Sequence, residues 1–185
     1  MRFRFDEEKT IAAILHICKE VRSRGESKVG FHKIFKIIYF ADREHLATWG
    51  RPITGDYFVA MQYGPVPSST YDILKSRKGD TFSIDKDKYK GLFDVHGHIV
   101  DAKADPDLNC LSESELVELN RAIEENAHLN FGDLVGKSHG PAYDAAVKDG
   151  SMCFKRIAQE AKAGADSAML AYIRHNAANS NLFPR

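Results

Sequence analysis

The 185-residue chain is expected to fold as a mainly α structure with a small antiparallel β-sheet (α+β), a compact multi-helix domain around a buried central helix. Three observations predict this. Phe31 to Trp49 carries the strongest helical period in the sequence, and it is apolar round most of its circumference. Tyr57 to Tyr63 and Leu92 to Val100 switch to the two-residue alternation of strands. Between and after them, capping residues and Gly or Pro stops mark out further short helices.

Asp6 or Thr10 can cap an opening helix with Ile11, Ile14, Leu15, Cys18 and Val21 on one face. The polar link Ser23 to Gly30 is short enough to favour an antiparallel pair with the next helix. That helix repeats Phe31, Ile34, Phe35, Ile38, Ala41, His45, Leu46 and Trp49 at three- and four-residue steps, with Ile37 and Phe40 as a second apolar edge. It would span roughly 28 Å. Gly50 stops it and Pro52 prevents its resumption. Ile53 to Asp56 reads as a turn, and Tyr57, Val59, Met61 and Tyr63 as one face of a strand. Gly64-Pro65-Val66-Pro67 reads as a rigid corner, because each proline fixes φ and lacks an amide donor. Ser68, Ser69 or Thr70 can cap a helix through Tyr71 and Leu74.

Phe82 to Lys103 alternates, with His96-Gly97 as a hairpin tip, and the Tyr57–Tyr63 strand is expected to complete that sheet. Ser112 and Glu115 form a capping box before Leu116, Leu119, Ile123 and Ala127. Asn130 to His139 reads as a short helix with Phe131, Leu134 and Val135 inward. Pro141 restarts the chain as a helix bearing Ala142, Tyr143, Ala146 and Val147. Ile157–Ala163 and Ser167–Ala177 are the last helical runs. Residues 1–185 are expected to form a single domain, with 179–185 a flexible tail.

Lys and Arg number 26, as do Asp and Glu, so the formal charge is zero. This argues against broad electrostatic attachment to nucleic acid or to a membrane. Three widely spaced cysteines (Cys18, Cys110, Cys153) read as small hydrophobes in a reducing compartment. The charged N-terminus, and the want of any apolar run near the ~20 residues of a membrane span, predict a cytoplasmic protein. No phosphate-binding glycine loop, nucleophile elbow or Cys-x-x-Cys pair occurs. His96 and His98 read as surface hairpin residues, and His45 and His139 as structural histidines or as binding or acid–base groups. Lys28, Lys33, Lys36 and Arg43 read as a solvated helix face interrupted by Asp42 and Glu44. Tyr39 and Phe40 read as core; Trp49, Tyr63 and Tyr71 divide evenly between core and partner surface. No enzyme, cofactor or metal site is predicted.

Tyr39-Phe40-Ala41 with His45-Leu46, then Gly50 to Ile53, then Tyr63 to Pro67, resemble the defining stretch of the Panacea domain of SocA-like antitoxins, often found in prophages and mobile operons. A second match follows about 100 residues on, where Leu134 to Ala146 is similar to the family's Leu-x-x-x-Ser-His segment. Tyr143 stands there where many members carry tryptophan. The resemblance implies an antitoxin of a toxin–antitoxin system that neutralises a cognate toxin, encoded nearby, by direct protein–protein contact. It also implies that a protease can be a further partner, where a member acts as an adaptor. The candidate toxin-binding residues are Asp42, His45, Trp49, Arg51, Tyr63, Pro65, Pro67, Tyr71, His139 and Tyr143. The alternatives are a small enzyme or metabolite-binding protein using His45 or His139 with Asp42, and a DNA-binding regulator of its own operon.

Overall fold

The apolar stretch from Phe31 to Trp49 is a helix over that whole range in the computed structural model, which describes residues 1–78, 88–180 and 182. In chain order the elements are α1 (Glu7–Ser23), β1 (Val29–Gly30), α2 (Phe31–Trp49), β2 (Phe58–Met61), β3 (Gly64–Pro67) and α3 (Ser68–Lys78). They continue with β4 (Phe93–His96), β5 (Ile99–Ala102), a 3-10 turn Leu108–Cys110, α4 (Glu113–Asn126), α5 (Phe131–Ser138), α6 (Pro141–Asp144), α7 (Phe154–Glu160) and α8 (Ser167–Ser180). Helix α2 lies against α1, α3, α4, α5, α7 and β3, so it is the axis of the molecule. Its Ile34, Ile37, Ile38 and Leu46 interdigitate in one core with Ile14, Ile17, Leu74 and Leu119, all fully buried. Each such side chain contributes about 1.5–3 kcal/mol over its exposed state.

The local signals at the helix ends act as their chemistry dictates. The Asp6 carboxylate accepts from the Lys9 amide at 3.2 Å at the start of α1. Gly50 takes the left-handed conformation (φ 73°), and its amide donates to the Leu46 carbonyl at the end of α2. The capping box at Ser112 and Glu115 is complete.

Several expectations are corrected. The sheet of β4 and β5, joined by the two-residue turn Gly97-His98, is completed by β1 in the order β1-β5-β4. The Tyr57–Tyr63 stretch does not join it. Instead β2 pairs with β3 as a separate hairpin, so the proline segment is an edge strand, with Met61 opposite Gly64 and Phe58 opposite Pro67. The face of β2 that enters the core is Phe58 and Ala60, and Tyr63 falls in the turn. An edge is where prolines belong in a sheet, since their missing donors face no neighbour. Phe131 is exposed, because α5 buries only Leu134 and Ser138. The Pro141 helix is a single turn, which leaves Val147 outside. Asn179 and Ser180 close α8 rather than starting a tail. Residues 82–87 of the expected alternating run, and tail residues 181 and 183–185, lie outside the described residues.

Two buried carboxylates hold the 53–56 link between α2 and the hairpin. Asp42 accepts from the Ile53 amide (2.8 Å), the Thr54 amide (3.1 Å) and the Thr54 hydroxyl (2.6 Å). Asp56 accepts from the Ser69 and Thr70 amides (3.0 and 2.8 Å) and the Thr70 hydroxyl (2.9 Å). The cap of α3 is therefore supplied by Asp56 from twelve or more residues upstream, not by the local Ser68, Ser69 or Thr70 side chains. It satisfies amides that the helix itself leaves without partners.

Candidate partner-binding site

Three pieces of chain meet where α2 begins. The first turns of α2 offer His32 and Lys36, one helical step apart on the same face. The tip of the β2–β3 hairpin brings Tyr63, Gly64 and Pro65, and α5 with α6 brings Phe131, Ser138, His139 and Tyr143. Tyr63 and Phe131 are each 52% exposed and meet edge to face at 5.3 Å, while Phe131 also lies against the His32 ring at 4.1 Å. Beside them the exposed His139 ring stacks on Tyr143 at 4.1 Å, nearly parallel. The Tyr143 hydroxyl donates to the Met61 carbonyl at 2.8 Å, which ties this stack to the hairpin.

Beneath the rings Lys36 is fully buried, its Nζ donating to the Pro65 carbonyl at 2.9 Å. Burial pulls its pKa from 10.5 to about 7. Burial likewise lowers His32 to about 4, with the Lys36 charge adding to the effect and a hydrogen bond at the Tyr63 backbone opposing it. Gly64 has φ +93°, and a Cβ there would stand 2.5 Å from Ser138 Oγ, 2.7 Å from Lys36 Nζ and 3.2 Å from His139 Cδ2. Only glycine fits between these groups. Behind the site the Tyr39 hydroxyl donates to Glu160, whose other oxygen accepts from the Ala142 amide at 2.7 Å. Glu160 thus fixes α6, and with it Tyr143, to the central helix.

The predicted residues divide into three groups. Tyr63, Pro65, His139 and Tyr143 converge here, with Pro65 buried and contributing its carbonyl. Tyr71 is half-buried, edge-on to Phe35 at 5.7 Å, and Pro67 is buried in β3. Asp42 lies mid-helix, and His45, Trp49 and Arg51 gather towards the far end of α2, where Trp49 is 13 residues or about 20 Å from Lys36. There Trp49, 50% exposed, stacks on His45 at 6.2 Å. His45 itself is fully buried: Nδ1 donates to the Arg51 carbonyl (2.6 Å) and Nε2 accepts from Ser114 (3.1 Å), a pairing that suits the neutral ring. Burial lowers its pKa to about 4. Arg51 donates to Glu115, which also pairs with Lys9 at 2.7 Å. Burial alone would raise Glu115, but the hydrogen bonds from Lys9, Arg51 and the Ser112 amide outweigh it and hold the pKa at about 2. Asp42 is pushed up to about 7 by burial against its Thr54 and Ile53 donors. Among the described residues no hydrogen bond joins Asp42 to His45 or to His139.

Sequence reasoning missed Phe131, His32, Ser138 and, above all, Lys36, whose reading as part of a solvated face is overturned by its burial. A signal existed: Lys36 sits between Phe35 and Ile37 in a helix greasy on all sides, three and four residues from Tyr39 and Phe40.

No helix among the described residues is long and apolar enough to cross a membrane. No curated protein and no solved structure matches the chain. The family model described as antitoxin SocA-like, Panacea domain, matches residues 34–143. That span opens two residues before Lys36 and closes on Tyr143, so its two ends come together in this site. The chain belongs to the SocA-like antitoxin family, built on the Panacea domain.

Proposed function

We propose that the protein neutralises a cognate toxin, encoded nearby, by binding it directly through the face formed by Tyr63, Phe131, His139 and Tyr143. The observation that carries this reading is the exposure of large rings on rigid supports. Tyr63 and Phe131 are half-exposed yet fixed by a tight turn and by the start of a capped helix. Rings held in this way give up little entropy on binding, which is why aromatic residues anchor protein interfaces. The role is one of binding rather than turnover, in the cytoplasm, and the partner is a polypeptide. Of the sequence candidates, Asp42, His45 and Pro67 then act by shaping the scaffold, while Trp49 and Arg51 belong to a separate end of the molecule.

The test is expression of the neighbouring open reading frame alone and together with this chain. Growth arrest by the neighbour, relieved by the intact chain but not by the Tyr63→Ala/Phe131→Ala double variant, is expected. A neighbour that is harmless, or that stays lethal beside the intact chain, overturns the reading.

A further inference from the structure

We propose that Lys36 is a receptor for a carboxylate, and that the toxin presents an aspartate, a glutamate or its own C-terminus to this amine from the ring-lined face. The inference rests on the functional reading above and deepens it by naming the chemistry of the contact. Three observations carry it.

The first is a missing counter-ion. Lysine is almost never fully buried without a partner of opposite charge. Lys36 is fully buried, yet among the described residues its one hydrogen bond goes to a neutral carbonyl, that of Pro65. Other basic clusters on or beside α2 are neutralised in place. Lys9 and Arg51 share Glu115, and Arg43 lies against Glu44 and Glu160.

The second is the character of the neighbours. The groups around the Lys36 amine are Ser138 Oγ and the His139 ring from α5 and its end, Gly64 from the hairpin, and His32 from its own helix. Ser138 donates to the Val135 carbonyl at 3.0 Å and can turn to a new acceptor. The Ser138 hydroxyl and the Lys36 ammonium make a donor pair suited to an anion with two oxygens.

The third is the cover. Gly64 puts no side chain over the amine, and since even a Cβ there would clash with Lys36, Ser138 and His139, the amine is covered by the His139 ring and not by the hairpin's own side chain. His139 is exposed and rests by stacking on Tyr143. A carboxylate coming from the Tyr63–Phe131 rim would reach the amine by displacing that ring. A carboxylate arriving there would meet a poorly solvated ammonium, where charge-assisted hydrogen bonds are strong.

The test uses the intact protein with selectively 13C-labelled lysine and sodium acetate as the probe. One lysine Cε resonance is expected to move saturably with acetate, to ignore sodium chloride at equal ionic strength, and to vanish in Lys36→Met. No responding lysine, an equal response to chloride, or a response that survives in Lys36→Met overturns the proposal. So does a larger response to inorganic phosphate, which would assign the amine to a phosphorylated group. Should Lys36→Met fail to fold, His139→Ala serves instead. Because His139 acts only as cover and the donors are Lys36 and Ser138, removal of that ring is expected to lower the acetate concentration at half-saturation several-fold, and an unchanged or higher value counts against the site. No toxin takes part in these titrations, so they separate the two readings. Acetate binding without a neutralising partner would overturn the functional proposal and leave the carboxylate site standing, whereas full neutralisation by folded Lys36→Met would overturn the contact proposed here and leave the functional proposal standing.

Discussion

Lys36 is held in a place that opposes its charge, and that has a measurable signature. With its pKa at about 7 in the fold and near 10.5 when exposed, the unfolded chain takes up a proton that the folded chain refuses between those values. The group's stability is therefore intact at high pH, falls as pH drops from 10.5 towards 7, and levels off below. Lys36→Met should raise the urea midpoint most near about pH 6, and the gain should shrink steadily as pH rises towards about 10.5. A midpoint gain that does not vary with pH would show that the amine is charged and solvated in the fold. Asp42 makes the opposite kind of residue. Asp42→Ala strands the amides of Ile53 and Thr54 in the interior and should cost about 3 kcal/mol, measured by chemical denaturation. Neither role could be read from residue type. A lysine among isoleucines and an aspartate six residues further on look alike as breaks in an apolar helix, and only the approach of other segments separates a lone cation from a clamp.

At the level of elements, Asp56 is the point on which α3 turns, because it caps that helix across a chain reversal. Asp56→Ala should release the Ser69 and Thr70 amides, at a cost of about 1–2 kcal/mol, and hydrogen exchange should speed up first in the opening turn of α3. Gly64→Ala should strain the hairpin tip and displace Ser138 and His139, costing about 1–3 kcal/mol and weakening partner binding together. Elements with long periods were legible: α1, α2 and α4 follow directly from apolar spacing and caps. Short ones were not. β1 is two residues long and has no period to read, so the third strand of the sheet was assigned to the wrong segment. In β2 both faces carry apolar residues, and alternation alone cannot say that Phe58 and Ala60, not the flanking tyrosine, point inward. In the eight-residue α5, Phe131 sits at the first helical position, where two turns of pattern leave its direction open.

Across the whole molecule, exposed rings stand at two ends of α2, and the functional reading assigns the partner to only one of them. Tyr63→Ala and Phe131→Ala should each weaken toxin binding by 1–2 kcal/mol or more, roughly ten-fold or greater, without lowering the melting temperature. Trp49→Ala should leave affinity within two-fold, as judged by titration calorimetry. An equal loss at Trp49 would mean that the partner wraps the length of the central helix. The site as a set was half legible. Tyr63, His139 and Tyr143 stood in recognisable motifs, but that a hairpin tip and a helix end about 75 residues apart close over one amine is a product of the fold. One further result follows from how Tyr63 and Phe131 are mounted. The turn that carries Tyr63 is closed by β2–β3 pairing, and the helix that starts at Phe131 is capped by Asn130, so neither ring holds up its own support. Exchange of those two side chains should therefore alter what this face fits while the frame that carries it stays as it is.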